Sequence, residues 1–193
     1  MKSLVTTRTG DSGMTHCIGG KKVSKSDPIV ECCGWLDVVR AQTALARLDL
    51  IEEGPEDYED IADFLFWLLN AYFLVGAACS DPLREHPEYW KGAIGPEHVR
   101  RVESEQEMLE THLTLPRAFI VSATTRMAAK IDVTATFMRT FERSLVALRE
   151  AVPEFDAAHL IPFANRLGDY FYVLARYLEN HEHQPVDYDL LEK

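Results

Sequence analysis

From Pro28 onward, apolar residues recur every three or four positions through five successive segments, and no alternating run of any length interrupts them. A period near 3.6 gives each segment one buried face as a helix and is incompatible with half-buried strands. The spacing predicts a first helix over 28–53, in which Val30, Cys33, Leu36, Asp37, Ala41, Ala44, Leu45 and Leu48 recur and Gly54-Pro55 ends the run. A second is expected over 56–79, apolar around most of its later half and therefore central, with Ile61, Leu65, Leu68, Leu69, Tyr72, Val75 and Gly76 on its stripe. A loop follows at 80–95, then a charged amphipathic helix over 96–114 with Pro96 in its first turn. The fourth helix, 124–151, repeats Ala128, Ile131, Ala135, Met138, Phe141, Leu145 and Leu148. The fifth, 156–180, repeats Leu160, Phe163, Leu167, Tyr170, Phe171, Leu174 and Tyr177.

These elements make an all-α chain: a five-helix up-and-down bundle with a glycine-rich N-terminal loop. At 193 residues it reads as one domain, with a loop at 1–28, the bundle at 29–180 and a polar, loosely held tail at 181–193. The apolar stretch 64–79 is broken by Asn70 and bounded by Asp63 and Asp81. It falls short of the roughly 20 residues a bilayer span needs, so a buried helix is expected and no membrane partner. The start of the chain lacks a signal peptide's apolar run. The four cysteines (Cys17, Cys32, Cys33, Cys79) form no spaced framework, and both features point to the cytoplasm. Twenty basic residues against 31 acidic ones leave a net charge of −11, which repels phosphate backbones and argues against nucleic acid. A single cationic cleft remains compatible with that balance.

Three places carry candidate chemistry. Gly10-Asp11-Ser12-Gly13 has the letters of a serine-protease loop, but that chemistry needs a β fold and distant partners, so it is rejected. The same stretch, Thr9 to Thr15, alternates glycines with hydroxyls and is followed by Gly19-Gly20, Lys21, Lys22 and Lys25. Glycines let backbone N–H groups approach phosphate oxygens, and the lysines add charge, although no Walker loop is present. Composition alone favours a solvated arm there. On the fourth helix Arg139, Glu142 and Arg143 share a face, ordinarily an ion-paired surface cluster. On the fifth, Asn165, Arg166 and Asp169 interrupt an apolar helix, and buried polar groups need partners or a ligand. Asp37 is expected to look inward from the first helix. His181 and His183 lie in the polar tail without companion ligands, so no resident metal site is expected.

Together these segments resemble the propanediol-utilisation type of ATP:cob(I)alamin adenosyltransferase. The resemblance is carried by TRTGDSGMT, GGKKVSKSDPIVE and GWLD near the start, and by FMRTFERSLVAL and NRLGDYFYVLAR towards the end. Phe119-Ile120-Val121 stands where the family places a Phe before a Pro-Gly-Gly turn. The resemblance implies a five-helix fold, a homotrimer with sites between subunits, and transfer of the 5′-deoxyadenosyl group of ATP to the Co(I) of cobalamin, with Mg²⁺ held mainly through phosphates. It implies Thr9, Gly10, Asp11, Gly13, Thr15 and Lys25 as the ATP loop, completed by Arg139, Glu142 and Asn165. Phe119 and Asp169 fall on the corrinoid side, and Asp37, Arg139 and Phe119 are the residues implied for catalysis. Two departures stand out. Counting without gaps, the arginine that in the family pairs across the interface with the carboxylate matching Asp37 is Ala135 here, and Thr140 replaces the next arginine. Ser122-Ala123-Thr124 replaces Pro-Gly-Gly. A non-catalytic nucleotide, corrinoid or other tetrapyrrole-binding protein on the same fold is the competing expectation, and a plain helical interaction protein ranks last.

Overall fold

The computed structural model describes residue 6 and residues 8–53, 58–115, 117–179 and 182–192. A short antiparallel hairpin, β1 (Met14–His16) and β2 (Lys22–Ser24), pairs Thr15 with Val23 and precedes five helices. These are α1 (Pro28–Glu53), α2 (Glu59–Ser80), α3 (Pro96–Glu110), α4 (Arg126–Ala151) and α5 (Leu160–Tyr177). The glycine-rich start is thus a built hairpin rather than a solvated arm.

Local chemistry sets the helix ends. Asp27 starts α1, its Oδ1 accepting the Ile29 N–H at 2.9 Å, and Pro28 occupies the first turn. Thr125 starts α4, its Oγ1 accepting the Ala128 N–H at 3.1 Å. The fifth helix begins four residues later than its spacing predicts. Asp156 Oδ1 accepts the Ala158 N–H at 3.2 Å, a local turn that competes with helical bonding. α3 stops at Glu110, and the backbone then closes in turns around Leu109 and Glu110.

Helix α4 packs on α1 and α5, α1 also carries α2, and α5 also carries α3. The predicted stripe of α4 is buried in full, as is that of α5 apart from half-buried Tyr177. Phe64 meets Tyr170 edge-on at 4.8 Å between ring centroids, joining α2 to α5. Helix α2 is long and apolar enough to cross a membrane by length and composition, yet ten of its residues are buried within the bundle. It does not lie centrally. It flanks α1 and exposes Phe66 and Phe73, each covered by a guanidinium, from Arg47 and Arg40. The most completely enclosed helix is α5.

Helix α1 is turned from its expected orientation. It buries Cys32, Leu36, Val39, Thr43, Ala46 and Leu50, a strict alternation of three- and four-residue steps, and leaves Leu45, Leu48 and Ile51 exposed. Two apolar stripes run along this helix, and sequence spacing does not say which one meets the bundle. The Cys32 thiol donates to Cys79 Sγ at 3.7 Å inside the core with no disulfide between them, and burial pushes the half-buried Cys33 thiol up to about 12.

The segment after α5 is held in place rather than trailing away. Val121 N donates to Gln184 O at 2.8 Å and Val186 N donates to Phe119 O at 2.9 Å. The His183 side chain is buried against Glu179, contrary to the expectation of a solvated tail. His181 lies outside the described residues.

Candidate functional site

The polar residues that interrupt α4 and α5 come together. Arg139, Glu142, Arg143 and Val146 of α4 face Asn165, Gly168 and Asp169 of α5 across an open cleft of about 440 Å³. Asn165 Nδ2 donates to Glu142 Oε1 at 3.1 Å, so Glu142 is engaged across the helix pair. None of the ion pairs among the described residues joins it to Arg139 or Arg143, as a plain surface cluster would require. Arg166 fixes the Asn165 amide, with Nη1 donating to Asn165 Oδ1 at 2.8 Å and Nε to Glu103 Oε1 of α3 at 2.9 Å. Arg143 donates to Thr140 Oγ1 at 2.9 Å. At Gly168 a β-carbon would lie 3.5 Å from Arg139 Cγ, so the stem of Arg139 runs along α5 while the residue as a whole is exposed and lines the cleft. Two cations, two carboxylates and an oriented amide suit a ligand that is anionic at one end and hydrogen-bonding at the other.

The N-terminal hairpin is a second polar centre. The Gly13 N–H donates to Gly10 O, and Lys25 N donates to Gly13 O at 2.9 Å, folding the loop back on itself. The Lys25 ammonium lies over Gly10, only 3.0 Å from where a β-carbon would stand, so glycine is the residue that lets the charge approach the backbone. Thr9, Asp11, Gly13 and Lys25 are exposed and Gly10 and Thr15 half-buried. The far turn of the hairpin, at Gly19, packs on the His86 ring.

The cleft and the loop do not meet within one chain: among the described residues no member of 8–28 lines the α4/α5 cleft. The hairpin instead docks on the Ser80–His86 segment, where Cys17, Ile18 and Lys21 line a small cavity.

The family model for cobalamin adenosyltransferases matches residues 5–178. The chain belongs to that family. It is 30% identical over 171 residues to the corrinoid adenosyltransferase of Mycobacterium bovis, covering 88% of this chain and 86% of that one. It is also 30% identical over 179 residues to corrinoid adenosyltransferase PduO of Salmonella typhimurium, covering 92% of this chain. The chain spans about half the length of that relative and of its Citrobacter freundii counterpart. Among solved structures it superposes on a phenylalanine-to-histidine variant of a PduO-type ATP:corrinoid adenosyltransferase from Lactobacillus reuteri, complexed with cobalamin and ATP. That match has a TM-score of 0.80 at 22% identity and covers 94% of this chain and 95% of the other. The five-helix bundle is therefore the family fold.

Within this family member, Arg139, Glu142, Asn165 and Asp169 meet in one cleft, while Phe119 stands apart, 80% exposed, on the strand bonded to 184–186. Asp37 does not look inward. Its side chain is 66% exposed and ion-paired at 2.9 Å with Arg40, one turn along the same helix. The physical reason is the turned α1: burial of Leu36 and Val39 puts Asp37 outside. Ala135, by contrast, is 4% exposed in the core. Spacing alone did not single out Gly168 or Val146 as cleft residues. A glycine opposite an arginine four residues before Arg143 was the available signal.

Proposed function

We propose that this chain binds ATP and a reduced corrinoid and transfers the 5′-deoxyadenosyl group to cobalt, releasing triphosphate. The observation that carries this reading is the α4/α5 cleft, in which Arg139 stands beside an oriented Glu142–Asn165 pair. Cob(I)alamin is itself the nucleophile. Its electron pair forms the bond to C5′, the C5′–O bond breaks, and those electrons leave on triphosphate, so no general base is required. What the protein must do is align C5′ and offset the charge growing on the leaving group. Arg139 from the cleft and Lys25 from the glycine loop are the cations suited to that task. Asn165, held by Arg166, presents a fixed amide for the nucleoside end.

Magnesium fits this arrangement as a phosphate-bound ion. No group of three His, Cys, Asp or Glu side chains converges among the described residues, and Asp11 is the one carboxylate within 8–25. Asp11, with the Thr9 and Thr15 hydroxyls, would hold the ion beside the phosphates, where it neutralises oxygen charge. Since the loop and the cleft lie apart in one chain, the complete site draws on two subunits. The exposed stripe of Leu45, Leu48 and Ile51 on α1, with Phe66 and Phe73 on α2, supplies the apolar surface for a homotrimer. Four unbonded cysteines suit the cytoplasm.

The test is an anaerobic assay with chemically reduced cobalamin, ATP and Mg²⁺, read by loss of the Co(I) absorbance and appearance of light-sensitive adenosylcobalamin. Arg139→Ala and Lys25→Ala are each expected to lower kcat about 100-fold or more, the range seen when one charge-stabilising donor is removed. Asn165→Ala should weaken ATP binding. Saturable ATP or corrinoid binding without turnover would move the chain to a carrier or sensor, a reading favoured by Ala135 and by the Ser122–Thr124 turn. Binding of neither would overturn both.

A further inference from the structure

The segment carrying Phe119 has little of its own to hold it. The Phe119 side chain is 80% exposed, and the segment's regular hydrogen bonds go to the chain after α5, through Val121 N to Gln184 O and Val186 N to Phe119 O. Its placement therefore depends on how residues 182–186 are anchored. That anchor is a buried charged cluster at the end of α5. Glu179 is 1% exposed, and its two carboxylate oxygens hold different segments. Oε1 accepts the Thr124 N–H at 2.9 Å, pinning the turn after Phe119. Oε2 accepts His183 Nδ1 at 2.8 Å, pinning the returning strand, and lies 3.4 Å from Arg176 Nε. Arg176, also buried, donates Nη2 to Asp132 Oδ2 of α4 at a charge-assisted 2.6 Å, and Thr125 Oγ1 donates to Leu178 O at 3.2 Å. Burial raises the Asp132 carboxyl above its ordinary range even with Arg176 opposing it, so this cluster is costly to keep. Buried ionic groups rarely stabilise more than an apolar replacement would. Their effect here is geometric, because one carboxylate holds the Thr124 end of the segment after Phe119 with one oxygen and the segment that bonds Phe119 with the other.

We propose that Glu179 and His183 are positioning residues that strap the segment 182–186 onto the segment carrying Phe119 and so set the corrinoid-facing edge of the site. The second half of this statement rests on the function proposed above; the strap itself does not. The imidazole of His183 has one hydrogen bond, through Nδ1, while Nε2 is buried without a partner. Its removal breaks the strap's side-chain anchor and leaves, among the described residues, only the Glu182 N–H to Glu179 O bond at 2.9 Å holding the segment to the end of α5.

Hydrogen exchange at individual amides tests the strap directly. In His183→Ala, exchange at the Val121 and Val186 amides should rise about tenfold or more, while the Lys25 amide, bonded to Gly13 O in the distant hairpin, keeps its rate. Val186→Pro removes the donor to Phe119 O without touching the buried cluster, and guards against a general loss of structure in the first variant. It should raise Val121 exchange similarly. In turnover, both variants should raise the corrinoid KM about fivefold or more and leave the ATP KM unchanged, a split that general destabilisation does not produce. Unchanged Val121 exchange in both variants would overturn the strap. An ATP KM rising in step with the corrinoid KM would overturn its assignment to the corrinoid side. Absence of turnover in the unmodified chain would overturn the proposed function alone, because exchange decides the strap without it.

Discussion

Replacing Ala135 with arginine installs the residue that the resemblance places at a position which this chain has made part of its core. Ala135 is 4% exposed, and its neighbours Ile131, Thr134 and Met138 are fully buried. Overpacking a site of this kind costs about 1–3 kcal/mol. A guanidinium taken from water without a buried partner adds several more. The carboxylate that the resemblance pairs with it is already occupied: Asp37 pairs with Arg40 at 2.9 Å and is largely in solvent, where such a pair contributes less than about 1 kcal/mol. The expected penalty is about 4 kcal/mol in all, which for a domain of this size lowers Tm by about 8–16 °C. Ala135→Met separates the terms, since it carries the bulk without the charge and should lose only about 1–3 kcal/mol. Thermal unfolding of Ala135→Arg, Asp37→Asn and the double variant completes the cycle, and a coupling below about 0.5 kcal/mol is expected. A Tm within about 2 °C of the parent, with coupling above about 1 kcal/mol, would refute the reasoning. It would show that the arginine threads out to Asp37 and that Arg40 is not its settled partner.

Further outcomes follow from the loops. Ala123 holds φ at +56°, at a position where the resemblance places glycine. Ala123→Gly should therefore raise stability by about 0.5–1 kcal/mol, the steric relief less the added chain entropy, measured as a higher urea midpoint. Asp81 is 4% exposed; burial pushes its carboxyl up, but hydrogen bonds from Trp90 Nε1 and the His86 and Glu85 amides outweigh this and hold it below its ordinary value. Its contribution is present above about pH 4 and lost as pH falls through the lowered value. Asp81→Asn should cost about 2–3 kcal/mol at neutral pH and flatten the acid limb of the stability curve. Gly19 adopts φ +81°, and a β-carbon there would collide with the His86 imidazole. Gly19→Ala should raise the ATP KM by undocking the hairpin while leaving Tm within a few degrees, and an unchanged KM would show that the dock is irrelevant to the loop.

The cleft was legible because its residues break a pattern. Asn165 and Asp169 are polar positions on a helix whose remaining periodicity is apolar, whereas Glu142 shares a face with Arg139 and Arg143 that spacing alone reads as an ordinary surface cluster. The glycine-rich start was legible as a loop or hairpin and as a phosphate cradle, but its strand bounds were not, since strands of three residues carry too little alternation to register. Asp37 misled for a specific reason: α1 is apolar on two faces, and local spacing cannot rank them. The buried Arg176–Glu179–His183 cluster was not visible at all. Charged residues near a chain end read as solvated unless something outside the local sequence returns to cover them.

The number of helices, most of their boundaries and the core stripes of α4 and α5 were determined by sequence alone, because helical periodicity and caps are local properties of the chain. Tertiary structure alone decided which stripe of α1 is buried, that α5 rather than α2 is the most enclosed helix, and that the loop and the cleft stand apart in one chain. It also decided that the last segment returns to hold Phe119. Each of those outcomes depends on which surfaces compete for burial, and that competition is settled only when all five helices are packed.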